Sequence, residues 1–166
     1  STLIKVLTGV ETPEAGEIRL NGKLIAPECV GEAQKIGITA VYQEINLCPN
    51  LSVAENIFIG RFPMRGLRID WKTIEHEAAA ALAALNIHLD VSLPLASYPV
   101  AIQQMVAIAR ALTTEAQVLI LDEPTSSLDE GEVERLFQAL RQLKQKGMAI
   151  LFITHFLDQT YAISDR

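Results

Sequence analysis

The run Val118-Leu119-Ile120-Leu121-Asp122-Glu123 limits the possible folds more than any other stretch of the chain. Four apolar residues without alternation, stopped by two carboxylates and Pro124, read as a strand buried on both faces of a parallel sheet. Such a strand belongs to an α/β fold, in which ligands bind just beyond the carboxyl ends of the strands. Asp122 and Glu123 fall at that place. A carboxylate there can serve as general base toward a water. Taken alone, the two acids also fit a solvated strand end.

The 166 residues are 49% hydrophobic and 20% charged, enough for one domain with a proper core. The formal net charge is −6 and no Lys/Arg block occurs, so nucleic acid and anionic lipid are not expected partners. The longest apolar run, Ala78 to Leu85, is alanine-rich and too short to span a bilayer. No signal-peptide pattern is seen, and Cys29 and Cys48 lack metal-ligand spacing, so reduced thiols in a cytosolic setting are expected. The chain opens at Ser1-Thr2-Leu3 without methionine and stops at Asp165-Arg166, which suggests a piece of something larger.

In order, Leu3, Ile4, Leu7 and Val10 mark one face of a first helix, with Gly9 placed for close packing or a helix end. Asn21-Gly22 between Ile18-Arg19-Leu20 and Lys23-Leu24-Ile25 signals a type I′ hairpin. A helical turn over Glu32 to Lys35 precedes a strand, Ile38 to Tyr42, which ends at Gln43-Glu44. Ser52 and Glu55 have the spacing of a capping box opening a helix over Val53 to Ile59. Arg61 to Gly66 reads as loop. Ile74, Ala78, Ala81, Leu82 and Leu85 trace one face of a long helix. Pro94 and Pro99 bracket a break, after which Ile102, Met105, Val106, Ala109 and Leu112 give the inner face of another. Beyond Asp129, Val133, Leu136, Phe137, Leu140 and Leu143 define an amphipathic helix ending at Gly147. Met148 to Ile153 reads as a second fully apolar strand, then Thr154-His155 and a helix over Phe156 to Ile163.

Leu121-Asp122-Glu123-Pro124-Thr125-Ser126-Ser127-Leu128-Asp129 resembles the Walker B motif and D-loop of ATP-binding cassette (ABC) ATPases. The resemblance extends over essentially the whole chain. It implies a P-loop NTPase fold: a parallel core sheet, an antiparallel hairpin region and a helical subdomain inserted at about residues 52–113. Residues 1–166 would form a partial ABC domain whose Walker A start is missing and which is inactive by itself. Ser1-Thr2 match the end of Walker A, Gln43 the Q-loop and His155 the H-loop. By this resemblance ATP and Mg²⁺ are the cofactors. Ser1, Gln43 and Asp122 would hold the metal. Glu123, His155 and Gln43 would carry catalysis, and Thr2 and Asp129 would join them in binding nucleotide. His76 and His88 match no such position and read as surface.

The signature segment departs from the family. Where an LSGGQ-like stretch should present a serine hydroxyl and glycine N–H groups to a neighbour's phosphate, the chain reads Tyr98-Pro99-Val100-Ala101-Ile102. Pro99 has neither hydroxyl nor N–H, and Ala101 adds a Cβ. Gly37 to Glu44 and Leu51 to Ile57 are similar to bacterial monosaccharide importers of the ribose, galactose, xylose and galactofuranose kind. Pro99-Val100-Ala101-Ile102-Gln103-Gln104-Met105 and Thr154 to Gln159 narrow the likeness to the galactofuranose type. Their ATPase fuses two ABC domains, of which this would be the first. The implied partners are a second ABC domain, transmembrane permease subunits and, indirectly, a periplasmic sugar-binding protein. The implied location is the cytoplasmic face of the inner membrane, held through the permease. Two alternatives stay open: a soluble ABC ATPase acting on ribosomes or DNA, and a regulatory cassette with little hydrolysis.

Overall fold

The computed structural model describes residues 2–42, 46–114 and 116–165. Helix α1 (Thr2–Leu7) leads to the hairpin β1 (Ile18–Leu20) and β2 (Lys23–Ile25), then α2 (Val30–Ile36) and β3 (Ile38–Val41). The hairpin turns at Asn21 and Gly22, both left-handed with φ of 50° and 78°, as an Asn-Gly pair favours. It is tied to the sheet by Asn21 Nδ2, which donates to Gln117 Oε1 at 2.7 Å.

The chain then passes through α3 (Val53–Phe58), a small hairpin of β4 (Met64–Arg65) and β5 (Arg68–Ile69), α4 (Trp71–Ala83), a 3₁₀ turn and α5 (Val100–Leu112). It returns as β6 (Val118–Asp122), α6 (Glu130–Gln145), β7 (Ala149–Ile153) and α7 (Leu157–Ile163). The main sheet is parallel in the order β3-β6-β7, so the acid-tipped strand lies in its centre.

The packing of β6 accounts for its unbroken apolar run. Leu119 and Leu121 join the large cluster containing α3, α4, α5 and α6 side chains. Ile120 points into a second cluster with Ile4, Ala33 and Ile38. All three β6 side chains are fully buried, contributing roughly 5–9 kcal/mol at most.

Several expectations needed correction. Of the α1 face only Ile4 is buried, while Leu3 and Val10 stand 61% and 53% exposed. The fully apolar run expected as a strand over Met148 to Ile153 forms β7 from Ala149, and that strand is only half-buried. It pairs with β6 alone among the described residues, and the neighbouring α7 buries no side chain. Helix α5 is buried over more than the expected face: Met105, Val106 and Ala109 are buried and Ile102 and Leu112 pack half-buried against the core as expected, but Ala101, Gln104 and Ile108 are buried too. The loop expected over residues 61–66 contains strand β4 of the small hairpin, which turns at Gly66 with φ of 68°.

Candidate active site

Asp122 is the last residue of β6, paired in register with Ile153 at the end of β7. Its half-buried carboxylate makes no hydrogen bond or ion pair with a described residue. Immediately after it the backbone turns sharply: Glu123 has φ of +49°, a region that non-glycine residues rarely occupy. The turn is held by the Glu123 N–H donating to Ile153 O at 2.9 Å and by Ser126 N–H donating to Glu123 O at 3.3 Å. Strained backbone of this sort persists only where its surroundings over-determine it, and it gathers at functional sites.

The turn carries the Glu123 carboxylate across to β7. His155 Nδ1 lies 3.2 Å from Glu123 Oε2, with side-chain exposures of 58% and 28% respectively. The imidazole also stacks on Phe156, with ring centroids 4.0 Å apart. Glu123 and His155 are 32 positions apart in sequence and meet because β6 and β7 end side by side.

Sequence reasoning missed three residues beneath this pair. Thr125 Oγ1, on a residue only 3% exposed, donates to Gln159 Oε1 at 2.6 Å. Thr154 Oγ1 donates to the same oxygen at 3.3 Å and accepts from Phe156 N–H at 3.1 Å. The hydroxyls of Thr125 and Thr154, in the sequences Glu-Pro-Thr and Thr-His, were the only signal.

Asp129 sits at the N-cap of α6 in a reciprocal capping box: its Oδ1 accepts from Glu132 N–H at 2.8 Å, and Glu132 Oε2 accepts from Asp129 N–H at 3.0 Å. Thr2 begins α1 and is exposed. Ser1 and Gln43 lie outside the described residues. His76 and His88 are exposed.

Among the described residues no three His, Cys, Asp or Glu side chains form a cluster for a metal. Magnesium does not need one, because it takes one or two carboxylates and fills its remaining positions with substrate phosphate and water. The uncommitted, hard oxygen donor of Asp122 fits that requirement.

At the start of α5, Pro99 is the N-cap with φ of −56° and no side-chain cap. Gln103 Nε2 donates instead to Tyr98 O at 2.9 Å, while Tyr98 Oη donates to Asp90 O at 2.8 Å. Ala101 is buried, so its Cβ packs inward.

One family model, described as ABC transporter, matches residues 1–126, a span that includes the strand-end Asp122 and Glu123. The chain belongs to the ABC transporter family. It is 52% identical over 166 residues to the galactofuranose transporter ATP-binding protein YtfR of Escherichia coli K12, covering 100% of this chain and 33% of that protein. It is 50% identical over 167 residues to the fructose import ATP-binding protein FruK of Bifidobacterium longum, again covering 100% of this chain and 33% of the relative. The chain therefore spans about a third of the length of these curated relatives. Among solved structures, the dimeric post-hydrolysis ATP-binding cassette MJ0796 bound to ADP and Pi superposes with a TM-score of 0.75 at 26% identity, over 95% of this chain and 70% of that one.

Proposed function

We propose that the protein carrying this ABC domain binds and hydrolyses ATP to power a bacterial sugar importer. The observation that carries the reading is the Glu123–His155 pair at the ends of adjacent parallel strands. Names of relatives concerned with galactofuranose, fructose and ribose import support the transport assignment over action on ribosomes or DNA.

In this reading Glu123 accepts a proton from the attacking water as its oxygen bonds to the γ-phosphorus. The bond from that phosphorus to the bridging oxygen breaks, giving ADP and phosphate. His155 holds the Glu123 carboxylate in place and faces the γ-phosphate. Asp122, with Ser1 and Gln43, would hold Mg²⁺, which supplies charge neutralisation at the phosphates when bound. Thr2 and Asp129 complete the nucleotide contacts. The helices between about 52 and 113 act as the inserted subdomain.

The cassette pairs head-to-tail with a second ABC domain and docks on permease subunits, which a periplasmic sugar-binding protein serves. No helix among the described residues is long and apolar enough to cross a membrane. Attachment to the cytoplasmic face of the inner membrane therefore runs, in this reading, through the permease.

The test is steady-state phosphate release from the complete protein. A positioned general base contributes about 10²–10⁴ in rate. Glu123→Gln should abolish nearly all turnover while ATP binding persists. Retention of more than about a third of wild-type turnover, far above that floor, would remove Glu123 from the chemistry.

A further inference from the structure

Glu123 and His155 stand on separate strand-end loops, so their 3.2 Å approach depends on how those loops are held together. One atom bridges both. Gln159 Oε1 accepts from Thr125, two residues after Glu123, and from Thr154, the residue before His155. We propose that Gln159 is a positioning residue whose amide oxygen locks the two loops together and so sets the Glu123 carboxylate against His155. The inference rests on the proposed role of Glu123 as general base.

Two observations favour a specific polar role over ordinary packing. Helix α7 buries no side chain, and Gln159 itself is half-buried, so apolar bulk is not what Gln159 contributes. Thr125, by contrast, is almost wholly buried, and its hydroxyl has no ready exchange with solvent. A buried donor that loses its acceptor bears the full desolvation penalty, which the turn can relieve only by moving. That turn already contains the left-handed Glu123, tied to Ile153 by one backbone bond. Removing the Thr125–Gln159 contact takes away a further constraint from a strained turn, which gives the carboxylate more room to move.

Both threonines donate, so the position requires an acceptor and not an amide as such. Gln159→Glu keeps an acceptor oxygen, and Gln159→Leu keeps the size and removes it. In the complete protein, phosphate release at varied ATP should show kcat for Gln159→Leu about tenfold lower, the scale of two modest hydrogen bonds. KM for ATP should stay within about twofold, and Gln159→Glu within about threefold of wild-type kcat, both less than the loss of one such bond. In single-turnover measurements Gln159→Leu should add nothing further on a Glu123→Gln background, because it acts through that carboxylate. Thr125→Val, which deletes the donor instead, should reproduce the kcat loss and carries the test if Gln159→Leu folds poorly.

Unchanged kcat in both Gln159→Leu and Thr125→Val overturns the proposal. So does an equal loss in Gln159→Glu, or a further tenfold drop on the Glu123→Gln background, the mark of a general structural defect. If Glu123→Gln itself stays active, the reading of the chemistry fails and this inference falls with it. An inactive Glu123→Gln beside a fully active Gln159→Leu sinks the positioning role alone.

Discussion

At the scale of single residues, the structure relies on a few positions that a hydropathy reading passes over. Gly9 has φ of 72°, and a Cβ there would lie 2.8 Å from both Cys29 N and Pro27 O. Backbone atoms cannot step aside as a flexible side chain would. Gly9→Ala should therefore destabilise the domain by about 2–4 kcal/mol, combining strain and overpacking. Urea unfolding measures this, and a loss under about 1 kcal/mol would mean that the segment relaxes freely. Asn56 is a polar side chain at 0% exposure on an otherwise apolar helix face. Its Oδ1 accepts from Cys48 N–H at 2.7 Å, and its Nδ2 donates to Cys48 O and Ser52 O, both at 2.9 Å. It thus pins the loop that leads into α3. Asn56→Ala orphans the Cys48 N–H, while Cys48 O and Ser52 O each keep a backbone donor, Leu51 N–H and residue 56 N–H, for an expected cost of about 1–3 kcal/mol in the same experiment. The sequence marked Gly9 for close packing or a helix end, but not its neighbours Pro27 and Cys29, and the role of Asn56 was not legible at all, because both depend on which distant backbone comes close.

Elements were legible where local chemistry and tertiary demand agree. The β6 run, the Asn21-Gly22 turn and the Ser52–Glu55 capping box all formed as their residues require. The β4–β5 hairpin was not legible, since two-residue strands are too short to show alternation. The site was legible as strand ends carrying acids and a histidine. The left-handed turn at Glu123 and the threonine–glutamine contacts were not, because they depend on the register of β6 against β7. Asp129 raises a question that belongs to this scale: it caps α6, and the family resemblance also assigns it to nucleotide. Asparagine caps about as well as aspartate, whereas alanine costs about 1 kcal/mol. Asp129→Ala should lower stability by that amount, and Asp129→Asn should not. Turnover measured on the folded Asp129→Asn variant then isolates the second role. A fall in ATP hydrolysis without loss of stability supports it, and unchanged hydrolysis leaves Asp129 a helix cap alone.

At the scale of the whole molecule, the two halves of a head-to-tail cassette pair need not be equivalent. In the proposed arrangement Glu123 and His155 serve the ATP bound at this domain's own Walker A, and the partner's signature closes that site. In that arrangement the segment at the start of α5 that contains Pro99 and Ala101 would lie at the opposite site, beside the partner's ATP. Pro99 offers the start of α5 neither an N–H nor a hydroxyl, and by the family resemblance the buried Ala101 would stand where a glycine is expected. The N–H groups of Val100, Ala101 and Ile102 remain at the start of α5, but a hydroxyl and an N–H at residue 99 and the close approach of a glycine are missing, which weakens phosphate contact there. The weakened site should thus lie across the interface, with this domain's own site left competent. Replacing Pro99→Ser and Ala101→Gly should then change total turnover by less than about twofold, well below the 10²–10⁴ assigned to a general base. Glu123→Gln should remove nearly all of it, and the matching substitution in the second cassette should remove little. Phosphate release from the complete protein, measured for all three alongside wild type, decides the point. If the second cassette's acid proves to be the one that matters, this domain is the regulatory half, and its Glu123–His155 pair binds nucleotide without turning it over.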